Sequence, residues 1–354
     1  MNRPCALVMA GGTGGHIFPG LAVAQALRDK GWRVHWLGTP NSMETRLVPL
    51  RGFTMELVDF SGVRGKGLMA WVVLPWRLLR ACVQSLKVLQ RVRPDVVLGF
   101  GGYISLPAGL MTALRRIPLV LHEQNAIAGM ANQMLSKVAA RIFTAFPNVM
   151  ANAQWVGNPL RSEFLNQAKP SERFAGRTGR MNVLVVGGSL GARALNSVVP
   201  LALEKIPLAA RPSVVHQSGD KEIDALRANY AAANVQATLT PFIDNTAQAF
   251  AEADIVICRA GASTVTEIAA VGAAALFVPL PGAVDDHQTH NAQFLTKQGA
   301  GWTIPQRELT PEYLATWLQS LNRYALQDCA EKAKVLACLN ATQAIAQACA
   351  ELAT

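Results

Sequence analysis

The sequence has no C-x-x-C pair. Its six cysteines, Cys5, Cys82, Cys258, Cys329, Cys338 and Cys349, are scattered, which excludes a disulfide framework of the usual spacing and fits free thiols in a reducing compartment. No basic leader with an apolar core precedes the first apolar strand at Cys5, so the cytosol is expected and export is not. One uncharged run, the nineteen residues Val96 to Leu114, imitates a membrane span. It carries four glycines and Pro107, breakers that fit a strand, a glycine loop and a short helix better than one continuous helix.

Acid is also missing from part of the chain. Residues 1–157 hold 17 Lys/Arg against 6 Asp/Glu, whereas 158–354 hold 16 against 17, so the formal net charge of +10 belongs to the first half. Between Asp59 and Asp95 there is no carboxylate, only Arg64, Lys66, Arg77, Arg80, Lys87, Arg91 and Arg93. A surface of one sign seeks a polyanion or an anionic membrane. In the same interval Leu68, Trp71 and Trp76 stand among Arg77 and Arg80, a mixture suited to the membrane interface as well as to the inner face of a domain helix.

Standard nucleotide signatures are absent too. Gly11, Gly12, Thr13, Gly14 and Gly15 lie between an apolar strand and a helical pattern, yet neither G-x-G-x-x-G nor G-x-x-x-x-G-K-[ST] can be written onto them. No acid follows near Leu37 to grip a ribose, so a nicotinamide enzyme is not indicated. The loop still favours an anion, because glycines expose main-chain N–H groups at the positive end of a helix.

What is present is an alternation. Apolar runs of strand length at Cys5–Met9, Val34–Leu37, Val96–Gly99, Leu119–His122 and Ile142–Thr144 are separated by helical patterns. A second series follows at Val183–Val186, Val214–His216, Val235–Thr238, Ile255–Cys258 and Ala275–Val278. Continuous apolar strands separated by helices imply parallel sheets covered on both faces. The fold class expected is α/β, two doubly wound Rossmann-like domains, 1–157 and 158–354, with glycine loops facing a central cleft. The last helix has the option of packing back on the first domain.

Several constellations carry chemistry. His16 stands near a helix N-terminus, where the dipole keeps an imidazole neutral and able to accept a proton; a plain loop cap is the alternative. "GFGGY" (Gly99 to Tyr103) and Gly187, Gly188, Ser189, Leu190 and Gly191 are further glycine loops after strands. "LHEQNAIAG" places His122, Glu123, Gln124 and Asn125 just past a strand, with Glu123 a rival base. In "CRAGASTVTEIAA" Ser263 or Thr264 is expected to cap a helix, and Glu267 either complements its dipole or accepts from a ribose diol. Gln288 and Asn291, three apart, are candidate readers of sugar hydroxyls, and Asp285, Asp286, His287 and His290 form a weak metal pattern.

The ordered set "GGTGGHIFPGLAVAQAL", "GFGGY", "HEQNAIAG", "VGNPLR", "GGSLGA", "RAGASTVTEIAA" and "HQTHNA" closely resembles the peptidoglycan N-acetylglucosaminyltransferases of glycosyltransferase family 28 over nearly the whole chain. The resemblance implies the GT-B fold and transfer of N-acetylglucosamine from UDP-N-acetylglucosamine to lipid I. The product implied is lipid II, with the donor inverted into a β-1,4 linkage. It implies that Thr13, Gly14, Gly15 and Asn125 touch the donor from the first domain, and that Arg161 and Ser189 bind the nucleotide. Ile243 reads the uracil through its main chain, and Ala262, Ser263, Thr264, Val265, Thr266 and Glu267 line the donor, with Gln288 and Asn291 on the sugar. Gly14, Gly15, Gly101, Gly102 and Tyr103 are implied for the acceptor diphosphate. His16 is implied as the base, with Glu123 second, or else as a ligand of that diphosphate. His287 departs from the glutamine that some family members carry there.

Neither a metal nor another cofactor is expected, and nucleic acid is not an expected partner. The location implied is peripheral, on the cytoplasmic face of an anionic inner membrane, with other cell-wall and division proteins as possible partners. A UDP-N-acetylglucosamine 2-epimerase and a non-catalytic binder of anionic surfaces are the rival readings.

Overall fold

The computed structural model describes residues 3–62, 72–188 and 192–353, with Val284 by its main chain alone. The chain divides into two units, Met1–Leu160 together with Cys338–Thr354, and Arg161–Ala337. The closing helix, Ala341–Leu352, therefore belongs to the first unit, where it packs on the helix Gly14–Asp29.

The first unit carries β1 (Cys5–Met9), β2 (Arg33–Gly38), β3 (Thr54–Leu57), β4 (Val96–Gly99), β5 (Leu119–Glu123), β6 (Arg141–Thr144) and β7 (Gln154–Trp155), in the order β3-β2-β1-β4-β5-β6-β7. The second carries β8 (Asn182–Val186), β9 (Ser213–Gln217), β10 (Thr238–Thr240), β11 (Ile255–Cys258), β12 (Ala275–Phe277) and β13 (Trp302–Thr303), in the order β10-β9-β8-β11-β12-β13. Every pairing is parallel. Strand order reverses between β1 and β4 and again between β8 and β11, and ligands of such sheets bind beyond the carboxyl ends at these switch points. All four strands at the two switch points run directly into the glycine-bearing loops singled out from sequence.

Both faces of the sheets are covered, as uninterrupted apolar strands require. From β1, Ala6 and Val8 enter a core with Ile17, Leu27 and Ile345, while Cys5, Leu7 and Met9 enter another with Leu89, Ala108 and Leu135. Each fully buried leucine there contributes about 1.5–3 kcal/mol by leaving water. The helix Gly14–Asp29 is held close by Gly20, where a Cβ would lie 2.8 Å from the Trp36 ring. Trp36 in turn donates from Nε1 to the Ala10 carbonyl at 2.9 Å, anchoring the start of the glycine loop.

The uncharged run from Val96 resolves into β4, a glycine turn and the helix Ser105–Leu114. Among the described residues no helix is long and apolar enough to cross a membrane. One strand differs from expectation. Val235, expected to open a strand, closes the helix Ile223–Ala232: Asn234 is left-handed (φ 49°), its N–H donates to the Ala231 carbonyl, and Val235 N–H donates to that of Tyr230. This is a Schellman ending, whose buried apolar residue after the turn imitates the start of a strand; β10 begins only at Thr238. The edge strands β3, β7 and β13 are not expected from sequence, being short and largely exposed.

Candidate active site

In the first unit Thr13 is the N-cap of the helix Gly14–Asp29, and its side chain makes no capping bond. His16 is thus the third helical residue, half-buried, with its N–H bonded to the Thr13 carbonyl at 3.1 Å. The N–H groups of Gly14 and Gly15 lie in the first turn, which has no intrahelical acceptors, and a Cβ on Gly15 would meet only the Thr13 hydroxyl at 3.7 Å.

The "GFGGY" loop lies against this first turn. Gly101 and Gly102 are left-handed (φ 92° and 88°), and a Cβ on Gly102 would stand 2.6 Å from the Gly11 carbonyl oxygen. Two main chains meet there, so no side chain fits. A Cβ on Gly101 would lie 3.0 Å from His16 Cε1, which makes that glycine the wall behind the imidazole. The Tyr103 ring, half exposed, packs on the main chain of Gly62.

Sequence reading missed the residue that holds the loop from below. Glu44, buried, accepts from Gly12 N–H at 3.1 Å and Thr39 N–H at 3.0 Å, and its carboxylate fills the space beside Gly11 and Gly38. The only available signal was that Glu44 is one of six acids in a basic half of the chain.

Glu123, at the end of β5, is buried and saturated. Oε1 accepts from Asn125 N–H at 3.0 Å and from Asn125 Nδ2 at 3.4 Å, and Oε2 accepts from Gly129 N–H at 3.0 Å and Asn132 Nδ2 at 2.9 Å. These donors occupy the lone pairs a base needs, so the geometry makes Glu123 the organiser of the 124–129 loop rather than a proton acceptor. Gln124 reaches the other way, its Oε1 2.8 Å from His16 Nδ1.

In the second unit Gly188 (φ 78°) is clamped by the Gln217 amide, which accepts from Gly188 N–H at 3.1 Å and donates to the Gly188 carbonyl at 3.2 Å. The same amide donates to the Pro241 carbonyl at 2.9 Å, tying the Ile243 turn to the glycine loop. Ser189 lies outside the described residues, as do Leu68 and Trp71.

The helix Ala262–Val271 is not capped by Ser263 or Thr264, contrary to the expectation from sequence. Its N-cap is Gly261, which cannot cap through a side chain, and Ser263 and Thr264 fall inside the first turn. Ser263 Oγ is buried without a hydrogen-bond partner, whereas Thr266 Oγ1 bonds back to the carbonyls of Ala262 and Ser263. Val265 is fully buried with its N–H bonded to Gly261, so it supports this turn from beneath rather than lining it. Glu267 is half-buried, and desolvation lifts its carboxyl to about 7 against the pull of Arg161, with Glu163 adding to the rise. Arg161 itself pairs with Glu163 at 2.9 Å above the Phe164 ring.

Gln288 and Asn291 share a helix face, as their spacing requires, and both grip Ala260. Gln288 Oε1 accepts from Ala260 N–H at 3.2 Å and Leu280 N–H at 2.9 Å, while Asn291 Nδ2 donates to the Ala260 carbonyl at 3.2 Å. Asn291 is completely buried, so it braces the loop that precedes the helix Ala262–Val271 instead of facing a ligand. Among the described residues no group of three His, Cys, Asp or Glu side chains converges as metal ligands would.

Two all-parallel Rossmann-like sheets with glycine loops at both switch points define the GT-B class of glycosyltransferases. The model of the glycosyltransferase family 28 N-terminal domain matches residues 6–144, and that of the family 28 C-terminal domain matches residues 182–348. A protein of Albidiferax ferrireducens named UDP-N-acetylglucosamine--N-acetylmuramyl-(pentapeptide) pyrophosphoryl-undecaprenol N-acetylglucosamine transferase is 64% identical over 99% of this chain and 92% of its own. A protein of Polaromonas naphthalenivorans with the same name is 63% identical over 99% of both chains. The crystal structure of Acinetobacter baumannii MurG superposes with a TM-score of 0.87 at 41% identity, covering 99% of this chain and all of that one. The chain belongs to glycosyltransferase family 28.

Proposed function

We propose that this chain transfers N-acetylglucosamine from UDP-N-acetylglucosamine to the MurNAc 4-hydroxyl of lipid I, inverting the sugar to form the β-1,4 linkage of lipid II in peptidoglycan synthesis. The carrying observation is the resemblance of 64% along 99% of the chain to a transferase so named. The arrangement of His16 among bare glycine N–H groups supports it, because transfer needs a base beside a diphosphate-binding surface.

In this reading His16 removes the acceptor hydroxyl proton while that oxygen attacks the anomeric carbon and UDP departs, a single displacement with no covalent intermediate. The N–H groups of Gly14 and Gly15, with Gly101, Gly102 and Tyr103 beside them, receive the acceptor diphosphate, and Thr13 and Asn125 border the donor sugar. In the second unit Arg161, Ser189 and the start of the helix Ala262–Val271 stabilise the charge that develops on the leaving diphosphate. The buried, unpartnered Ser263 hydroxyl and Thr264 face that charge, and the Ile243 main chain reads uracil. Glu267 accepts from the ribose diol, Gln288 meets sugar hydroxyls through its amide nitrogen, and Asn291 positions Ala260.

The acceptor is a membrane lipid, and the helix Leu74–Val92 supplies a surface for it. Its inner face buries Ala81, Ser85, Val88, Leu89 and Val92, while Trp76, Leu79 and Val83, with Val72 just before the helix, form an outward apolar stripe, with Trp76 72% exposed. Arg77, which donates to Ser61 Oγ at 2.7 Å, and Arg80, paired with Asp59, flank it, and Lys87 is exposed further along. An apolar stripe bordered by cations suits peripheral attachment to the anionic cytoplasmic leaflet.

Incubation with radiolabelled UDP-N-acetylglucosamine and a lipid I analogue tests the reading: free UDP and labelled disaccharide-lipid are expected. Epimerised sugar nucleotide with no transfer would overturn it in favour of the epimerase reading.

A further inference from the structure

We propose that Gln124 and His122 are positioning residues that lock His16 in one neutral tautomer, with the hydrogen on Nδ1 and the lone pair on Nε2. The inference rests on the reading of His16 as the base and deepens it, since it names which nitrogen accepts the proton.

The logic starts at a main-chain carbonyl. Gly157 is left-handed (φ 86°) and packed so tightly on Cys338 that a Cβ would stand 2.5 Å from that residue's Cβ, so its carbonyl is held in place. His122 Nε2 lies 2.9 Å from the Gly157 oxygen, and a carbonyl only accepts, so Nε2 carries the hydrogen. His122 is completely enclosed, which drives it down to about 4 and keeps it neutral, and its Nδ1 is therefore a lone pair. Gln124 Nε2 sits 3.0 Å from that lone pair and 3.1 Å from the His122 carbonyl oxygen.

Two acceptors at one end of the amide fix its orientation, because a flipped Gln124 would point its oxygen at both. Its Oε1 must then face His16 Nδ1, at 2.8 Å, and that nitrogen must donate. A neutral imidazole has one hydrogen, so Nε2 of His16 is left as the acceptor. The same chain argues against His16 as a neutral ligand of the acceptor diphosphate, since the nitrogen not engaged by Gln124 has no hydrogen to give. Gly101 leaves the room this pose needs: a Cβ there would stand 3.0 Å from His16 Cε1 and 3.1 Å from Nδ1, crowding the edge of the ring that meets Gln124.

The test is the nitrogen spectrum of the full chain labelled with 15N-histidine, recorded at a pH where His16 is neutral, with its signals assigned by their loss in His16→Asn. A protonated Nδ1 and an unprotonated Nε2 are expected for His16; an Nε2–H tautomer in the unmodified protein would overturn the proposal. Gln124→Met, close in volume but unable to accept, should release the other tautomer and lower kcat by about tenfold while KM for UDP-N-acetylglucosamine stays within twofold. Unchanged tautomer and kcat in Gln124→Met would also overturn it. Gln124→Glu keeps an acceptor toward Nδ1 and should retain the Nδ1–H form while moving the acidic limb of kcat/KM upward by about one pH unit; an unmoved limb would count against the relay. The spectrum of the unmodified protein decides the tautomer even if Gln124→Met fails to fold. Full activity in His16→Asn would remove the base reading while leaving the tautomer measurement standing.

Discussion

Two carboxylates in this protein have opposite fates because of what surrounds them. Glu123 is met by four donors and serves the loop, and replacing it by alanine would strand the N–H groups of Asn125 and Gly129. Each unpaired buried donor costs about 1–3 kcal/mol, so Glu123→Ala is expected to lower the unfolding free energy obtained from a urea titration by an amount of that order. Glu267 is instead desolvated and lifted to about 7. A ribose diol donating to it would favour the charged form, so donor binding should release protons below about pH 7 and tighten as pH rises through that value. Titration calorimetry in buffers of different ionisation enthalpy between pH 6 and 8 reads this directly, and Glu267→Gln should abolish the proton release and flatten the profile. A slope unchanged in Glu267→Gln would show that another group titrates.

At the level of loops and helices the site depends on main chain brought against main chain. Gly102 meets Gly11 where any side chain would collide with a carbonyl oxygen, and its backbone is left-handed as well. Gly102→Ala is expected to cost roughly 2–4 kcal/mol, combining overpacking with strain, and to reduce transfer well beyond the loss in stability. Stability by denaturant titration and turnover at saturating donor would separate the two effects. The helix Leu74–Val92 offers an independent test, because its outward stripe makes no contribution to the core. Trp76→Ser with Leu79→Ser should reduce co-sedimentation with vesicles containing phosphatidylglycerol several-fold, yet leave turnover on a detergent-dispersed short-chain lipid I analogue unchanged. Retained vesicle binding would place the attachment elsewhere on the chain.

Taken whole, the molecule is pinned by buried polar groups far apart in sequence. In the second unit Asp254, fully buried, accepts from Arg177 at 2.8 Å, Arg323 at 3.1 Å and Asn182 N–H at 2.8 Å, and these partners hold its carboxyl below the usual range despite burial. Asp254→Ala is expected to cost about 3–5 kcal/mol, read as an earlier unfolding transition of that unit. Two enclosed histidines add an acid sensitivity. His122 is lowered to about 4 and His216, bonded to Tyr230 and Asn196, to about 3, both by desolvation. The unfolded chain binds protons more readily than either site below about 6.5. Each histidine therefore removes about 1.4 kcal/mol of stability per pH unit as pH falls from there toward its folded value. Glu267 works in the opposite sense between about 7 and 4.5, where the folded carboxyl holds its proton and the unfolded one does not, so in the second unit it offsets the loss from His216 down to about 4.5. Thermal melts from pH 7.5 to 5 should show Tm falling, and His216→Phe, which replaces a neutral ring by one that never charges, should weaken the dependence if it packs.

Much of this was legible in the order of the residues. Uninterrupted apolar runs gave the parallel strands, glycines after them gave the turns at the switch points, and the sequence of motifs gave the family, because strand pattern, turn chemistry and helix starts are written in neighbouring residues. The Val235 strand failed for the same local reason, since an apolar residue closing a helix looks like one opening a strand. What no local rule reports is which distant side chain completes a loop. Glu44 under Gly12, the saturation of Glu123, Asn291 bracing Ala260, and the path from the Gly157 carbonyl through His122 and Gln124 to His16, 108 residues from Gln124 along the chain, exist only once the sheet has brought those segments together. Hydrogen bonding is directional and short-ranged, so the choice of which nitrogen of His16 accepts a proton belongs to tertiary structure alone.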